Sequence, residues 1–275
     1  MKSTTILLSL AALVALPAWA ADLSEEVKSA SKKLAEKSNY SWTTKTESAQ
    51  PAGGQGGQGA QGAAPGRGRG GFGGGGSSSG KTDKDGFAVI TYTMGENTSE
   101  AVLKGDKVAV KSGDEWKTGE ELVADSGDGN APNRGRFLAL RAQRTKLPAT
   151  EAQELAGKVQ ELKKDGDAYS GELTAEAVKQ MNSFGGGGRR PGGNAGGNAP
   201  AGPDTSGLKG TAKFWTQDGV LAKYETHFTG KMTMPGRQGG DPREIPVNRT
   251  TTVEIKDVGT TKLEIPAEAK KKLKS

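Results

Sequence analysis

The sequence predicts an α+β fold: one strongly curved antiparallel β-sheet with helices packed on one face. Three observations lead there. Strand-like alternation recurs along the chain, broken by short turn signals such as Gly105-Asp106, Ser112-Gly113-Asp114 and Asp218-Gly219. Helical periodicity is confined to an early segment, the middle and a short C-terminal piece. Long glycine-rich stretches fall between these elements rather than within them.

The first twenty residues read as a leader rather than as fold. Lys2 supplies a positive start, "ILLSLAALVAL" an apolar run too short to span a membrane with ease, and Ala18-Trp19-Ala20 a small-x-small cleavage site. No cysteine follows, so no lipid anchor of the bacterial lipoprotein type is expected. The expected mature chain, 21–275, is a soluble, exported, single-domain protein of the periplasm or the exterior.

Asp22 to Lys37 is amphipathic, with Leu23, Val27, Ala30 and Leu34 at helical spacing and Asp22 with Glu25 as a capping box. "NYSWTTKTES" follows as a strand in which Tyr40, Trp42, Thr44 and Thr46 alternate with polar neighbours. After Pro51–Gly80, "GFAVITYTM" resumes as a strand and leads into a three-stranded meander ending at Trp116. "TGEELVAD" reads as a short helical or turn segment, and "NRGRFLALRAQ" contributes Phe137, Leu138 and Leu140. "TEAQELAGKVQEL" reads as helix through Leu155, Val159 and Leu162, and "DAYSGELTAEAVKQM" as a strand and then a helix capped by Thr174.

The segment "GTAKFWTQDGVLAKYETHFTGKMTM" reads as a hairpin turning at Asp218-Gly219. Val220, Ala222, Tyr224, Thr226, Phe228, Met232 and Met234 fall on one face; Leu221, Lys223, Glu225, His227 and Lys231 fall mostly on the other. The chain closes as strand, turn at Asp257-Val258-Gly259, strand, Pro266 and a short basic helix.

Pro51–Gly80 and Gly185–Gly207 hold 25 of the 43 glycines, so they are read as disordered insertions, 51–80 and 185–207, in one domain. About 200 residues remain for that domain, enough for a real core. Arg67, Arg69, Arg189 and Arg190 place part of the net charge of +6 in these tracts. The rest is mixed in sign apart from the terminal "KKKLKS", which is not the pattern of a polyanion binder. "GRGRGGFGG" is similar to RNA-binding RGG boxes, but so few arginines neutralise few phosphates, and no nucleic-acid partner is expected.

Catalytic chemistry finds little material. The chain has no cysteine, which excludes disulfides, thiolate metal sites and cysteine nucleophiles. Its single histidine, His227, shares a strand face with Lys223 and Glu225 and reads as a solvated residue. "DSGDGN" (Asp125–Asn130) alternates oxygen ligands but lacks the bidentate acid and flanking helices of a calcium loop. The expectation is a non-enzyme with no cofactor and no metal.

Taken in order, the leader, the helix running into "SNYSWTTKTE", the meander ending "VKSGDEWKT", "YSGELTAEAVKQM", the hairpin "AKFWTQDGVLAKYETHFTG" and the final "VEIKDVGTTKLEIPAEA" resemble the periplasmic lipoprotein-carrier superfamily, the LolA-like and LppX-like proteins. That resemblance implies a half-barrel sheet closed by helices over its concave face, with acyl chains carried in the apolar concavity. The corresponding lining candidates are Trp42, Phe87, Val89, Val108, Val110, Tyr224, Phe228 and Met232. Candidate partners are a lipid or acyl chain and an envelope component. The alternative reading is an envelope-associated interaction protein that uses its Gly/Arg-rich loops and holds no small ligand. Alternation alone predicts the same pattern for both.

Overall fold

A computed structural model describes residues 18–49, 76–124, 134–183, 203–236 and 240–274. The leader up to Pro17, the "DSGDGN" segment and most of both glycine-rich tracts lie outside the described residues.

The elements are α1 (Ala18–Ala35), β1 (Tyr40–Ser48), β2 (Ser77–Thr82), β3 (Phe87–Met94), β4 (Asn97–Lys104), β5 (Lys107–Ser112), β6 (Glu115–Thr118), α2 (Gly119–Ala124), α3 (Arg134–Arg144), α4 (Pro148–Ala156), β7 (Lys163–Asp165), β8 (Ala168–Glu172), α5 (Ala175–Ser183), β9 (Leu208–Gln217), β10 (Val220–Met234), β11 (Arg243–Lys256) and α6 (Ala267–Lys272). All eleven strands form one antiparallel, unclosed, curved sheet in the order β6-β5-β4-β3-β2-β1-β11-β10-β9-β8-β7. Short turns join most neighbours; the long pairing of β1 with β11 brings the first and last strands together at the centre.

Local chemistry explains the element ends. Asp218 (φ 54°) and Gly219 (φ 70°) make the β9–β10 turn, the left-handed pair that such a two-residue hairpin requires. Thr118 and Glu121 form a reciprocal capping box on α2, and Thr174 Oγ1 accepts the Ala177 amide to cap α5. Pro148 opens α4 after extended Leu147.

Four features depart from the sequence expectation. Ser77–Gly80, read as the end of a disordered tract, forms most of β2 between β1 and β3. The helix expected to run through Leu162 stops at Ala156; Val159 bridges to Leu173 instead, and Leu162 reaches the core from the following turn. The segment after Gly259 has no strand, yet Leu263 and Ile265 pack against the sheet. A β-bulge at Leu221/Lys223 turns Leu221, assigned by strict alternation to the polar face, into the core.

Two apolar layers result. The larger lies between the inner sheet face and helices α1 to α5, and the smaller lies on the outer face under α6. Strands β3 to β5 are therefore covered on both faces: Ala88 and Ile90 face inward, while Phe87 and Val102 face outward.

Candidate functional site

The sheet supplies the aromatic side chains of the inner layer, and the helices supply aliphatic ones, including the fully buried Val27, Leu34 and Leu122 and several alanines. Trp42, Ile90, Tyr92, Phe214, Tyr224 and Phe228 rise from the strands, each at most 3% exposed. Ala139, Ala142, Ala149, Ala152, Ala156 and Ala177 meet them from α3, α4 and α5. Two strand glycines make room for aromatic rings. A Cβ at Gly80 would stand 2.1 Å from Trp42 Cζ2, and one at Gly210 would stand 2.9 Å from Phe228 Cε1. Each ring lies on its directly opposed cross-strand glycine, an arrangement that shields the bare backbone.

Of the sequence-selected lining residues, Trp42, Val108, Val110, Tyr224, Phe228 and Met232 share this inner layer. Phe87 and Val89 do not: they stand on the outer face with Trp116, Ala269 and Leu273, and the Lys104 ammonium lies 4.4 Å from the Phe87 ring centre. Alternation could not assign them, because strands buried on both faces read as continuous apolar runs. The neighbour that covers Phe87 lies about 180 residues away in α6.

Sequence reasoning missed the polar connections across the inner layer. All four tyrosines of the chain sit in strands and reach toward helices. Tyr224 Oη donates to Glu151 Oε2 of α4 at 2.7 Å. Tyr92 Oη lies 3.0 Å from Thr145 Oγ1, at the end of α3. Tyr169 donates to Glu26 of α1, and Tyr40 lies beside the Ala149 amide at the start of α4. Tyrosine suits this place because its ring joins the core while its hydroxyl finds a partner. Their signal in the sequence was the tyrosine itself at inward strand positions.

Burial sets the electrostatics of these pairs. It pushes the Tyr40 hydroxyl up to about 12, with the Ala149 amide pulling the other way. It also raises the Glu151 carboxyl from its ordinary value, against the Tyr224 hydrogen bond and nearby Lys146. Tyr224 is raised further by burial and then by the Glu151 charge. At the other end of the layer, Arg249 Nη2 donates to Asn182 Oδ1 at 2.9 Å and stacks 5.3 Å from the Phe228 ring centre.

Two clefts open at one end of the sheet, on either side of Lys37 just beyond α1. One, of about 310 Å³, is lined by the α1 end, the β2–β3 turn and Leu147, Ala149 and Thr150, with Tyr40 in its wall. The other, of about 580 Å³, runs along Gln217–Asp218, Val220–Ala222 and Ile255–Val258. Tyr40, Leu221 and Ile255 each belong both to a cleft and to the inner apolar layer. Volumes of this order suit small-molecule sites.

His227 stands away from these clefts, its Nδ1 2.9 Å from Thr250 Oγ1. Among the described residues, no group of three His, Cys, Asp or Glu side chains could hold a metal ion, and no helix is long and apolar enough to cross a membrane.

No family model matches the chain, and no curated protein matches it. Solved structures similar to it include two from mycobacteria. One is LprF from Mycobacterium bovis, at 11% identity and a TM-score of 0.38, with 90% of this chain and 98% of that chain covered. The other is the Mycobacterium tuberculosis lipoprotein LppX, at 11% identity and a TM-score of 0.43, with 90% of this chain and 99% of that chain covered.

Proposed function

We propose that this protein is an exported, non-catalytic binder of a hydrophobic ligand, a lipid or lipoprotein acyl chain, taken up between the inner sheet face and its helices in the periplasm. The observation that carries this reading is the continuity between the clefts beside Lys37 and the apolar layer through Tyr40, Leu221 and Ile255. A chain entering there would meet aliphatic helix side chains on one side and aromatic rings of the sheet on the other.

Native mass spectrometry of the mature chain from a periplasmic extract, followed by solvent extraction, tests the reading. A stoichiometric adduct that extracts into organic solvent is the expected result. A bare mass, unchanged after incubation with envelope lipids, would remove the carrier reading.

A further inference from the structure

The large apolar side chains exposed among the described residues are Met94, Phe137 and Leu140, at 55%, 61% and 42% exposure. They are not scattered. Phe137 and Leu140 lie on the outward side of α3, one turn apart, and continue at helical spacing into Arg141 and Arg144. Arg141 Nη1 sits 3.7 Å from Met94 Sδ, and its guanidinium lies 4.4 Å from the Tyr92 ring centre, which ties the end of β3 to the same patch. The opposite side of α3 is buried through Gly135, Ala139 and Ala142.

The charge on this helix is one-sided. Its sequence, "RGRFLALRAQR", contains Arg134, Arg136, Arg141 and Arg144 and no acid. Glu96, in the turn after Met94, is the acid at the tip of that hairpin. An exposed aromatic and an exposed leucine followed at helical spacing by Arg141 and Arg144, on a helix already held by its other face, is the arrangement of an interfacial segment. The apolar side chains enter the headgroup boundary while the arginines meet anionic headgroups.

We infer that the outer face of α3, with Met94, docks this protein reversibly on an anionic lipid surface. Met94 ends β3, whereas the cleft beside Lys37 is lined at the turn before Phe87. Docking by α3 therefore uses the opposite end of that strand from the cleft. The inference goes beyond the carrier reading and does not depend on it: a protein without a ligand would still bind the surface, and a carrier that does not dock would still show its adduct.

Vesicle sedimentation with the full mature chain tests it, using equal parts phosphatidylglycerol and phosphatidylcholine against phosphatidylcholine alone. The expected result is binding to the anionic vesicles that falls at least tenfold in Phe137→Ser/Leu140→Ser, since both the buried apolar area and its anchoring are lost. Arg144→Gln should weaken the same binding by roughly fivefold and leave the neutral vesicles unaffected. Because Phe137, Leu140 and Arg144 are exposed, unchanged near-ultraviolet circular dichroism and thermal midpoint are expected of all variants. Equal sedimentation of parent and double variant would overturn the inference and assign any attraction to the other basic segments, the glycine-rich tracts and the lysine tail. Binding that does not distinguish anionic from neutral vesicles would overturn it as well.

Discussion

At Gly80 the requirement is steric rather than conformational: the backbone must lie flat under the Trp42 indole. Gly80→Ala should cost about 1–3 kcal/mol through displacement of that ring, whereas Trp42→Ala should cost about 3–5 kcal/mol through the cavity it leaves. Urea unfolding of both variants and of the double variant measures this, and the double variant should cost less than the two single costs combined, since the clash needs the ring. Glu151 offers a test by pH. Its folded pKa is raised, so its contribution is fully present below the ordinary value of 4.5 and is lost as pH rises through the raised value. Glu151→Gln keeps an acceptor for Tyr224 but does not ionise. The parent should therefore lose stability relative to this variant between pH 4.5 and neutrality, read from urea midpoints across that range. Tyr224→Phe, which strips the carboxyl of its donor, should cost about 1–3 kcal/mol at neutral pH.

Among the elements, β2 shows where local preference and tertiary structure part. "SSSGKT" has few of the β-branched and aromatic residues that favour strands, yet it lies between β1 and β3 with a full ladder on both sides. Only its neighbours specify it: Trp42 supplies the side chain that Gly80 lacks. Ser79, exposed on the outer face, is free to improve, and Ser79→Thr should raise stability by up to about 1 kcal/mol, measured as a shift in thermal midpoint. The β9–β10 hairpin is the contrasting case. Its Asp-Gly turn was legible because the geometry needs positive φ at both central positions, and Asp and Gly tolerate it. The bulge two residues later was not legible, because nothing in "VLAKY" marks an extra residue. It is the demand for a core side chain at Leu221 that shifts the register.

At the scale of the molecule, the hydroxyls of Tyr92, Tyr169 and Tyr224 connect a single sheet to the helical layer at separate places along it, and each joins residues distant in sequence. Such bonds add orientation to helices whose aliphatic contacts with the sheet are non-directional. The amphipathic early helix, the meander, the hairpin and the Thr174 cap could all be read from the chain, because each depends on residues a few positions apart. Six of the eight lining candidates share one face: for Trp42, Tyr224, Phe228 and Met232 strand alternation marks a single apolar face, whereas Val108 and Val110 lie in β5, which is covered on both sides. Phe87 and Val89 went to the other face because α6 and the segment before it cover β3 to β5 from outside. By itself, the sequence determined element types, turn chemistry and the export leader as an expectation, since these rest on local periodicity and backbone preference. The tertiary structure alone decided that a serine–glycine stretch becomes a strand, which face of a doubly buried strand looks inward, and where the clefts open, because those depend on neighbours that only folding brings together.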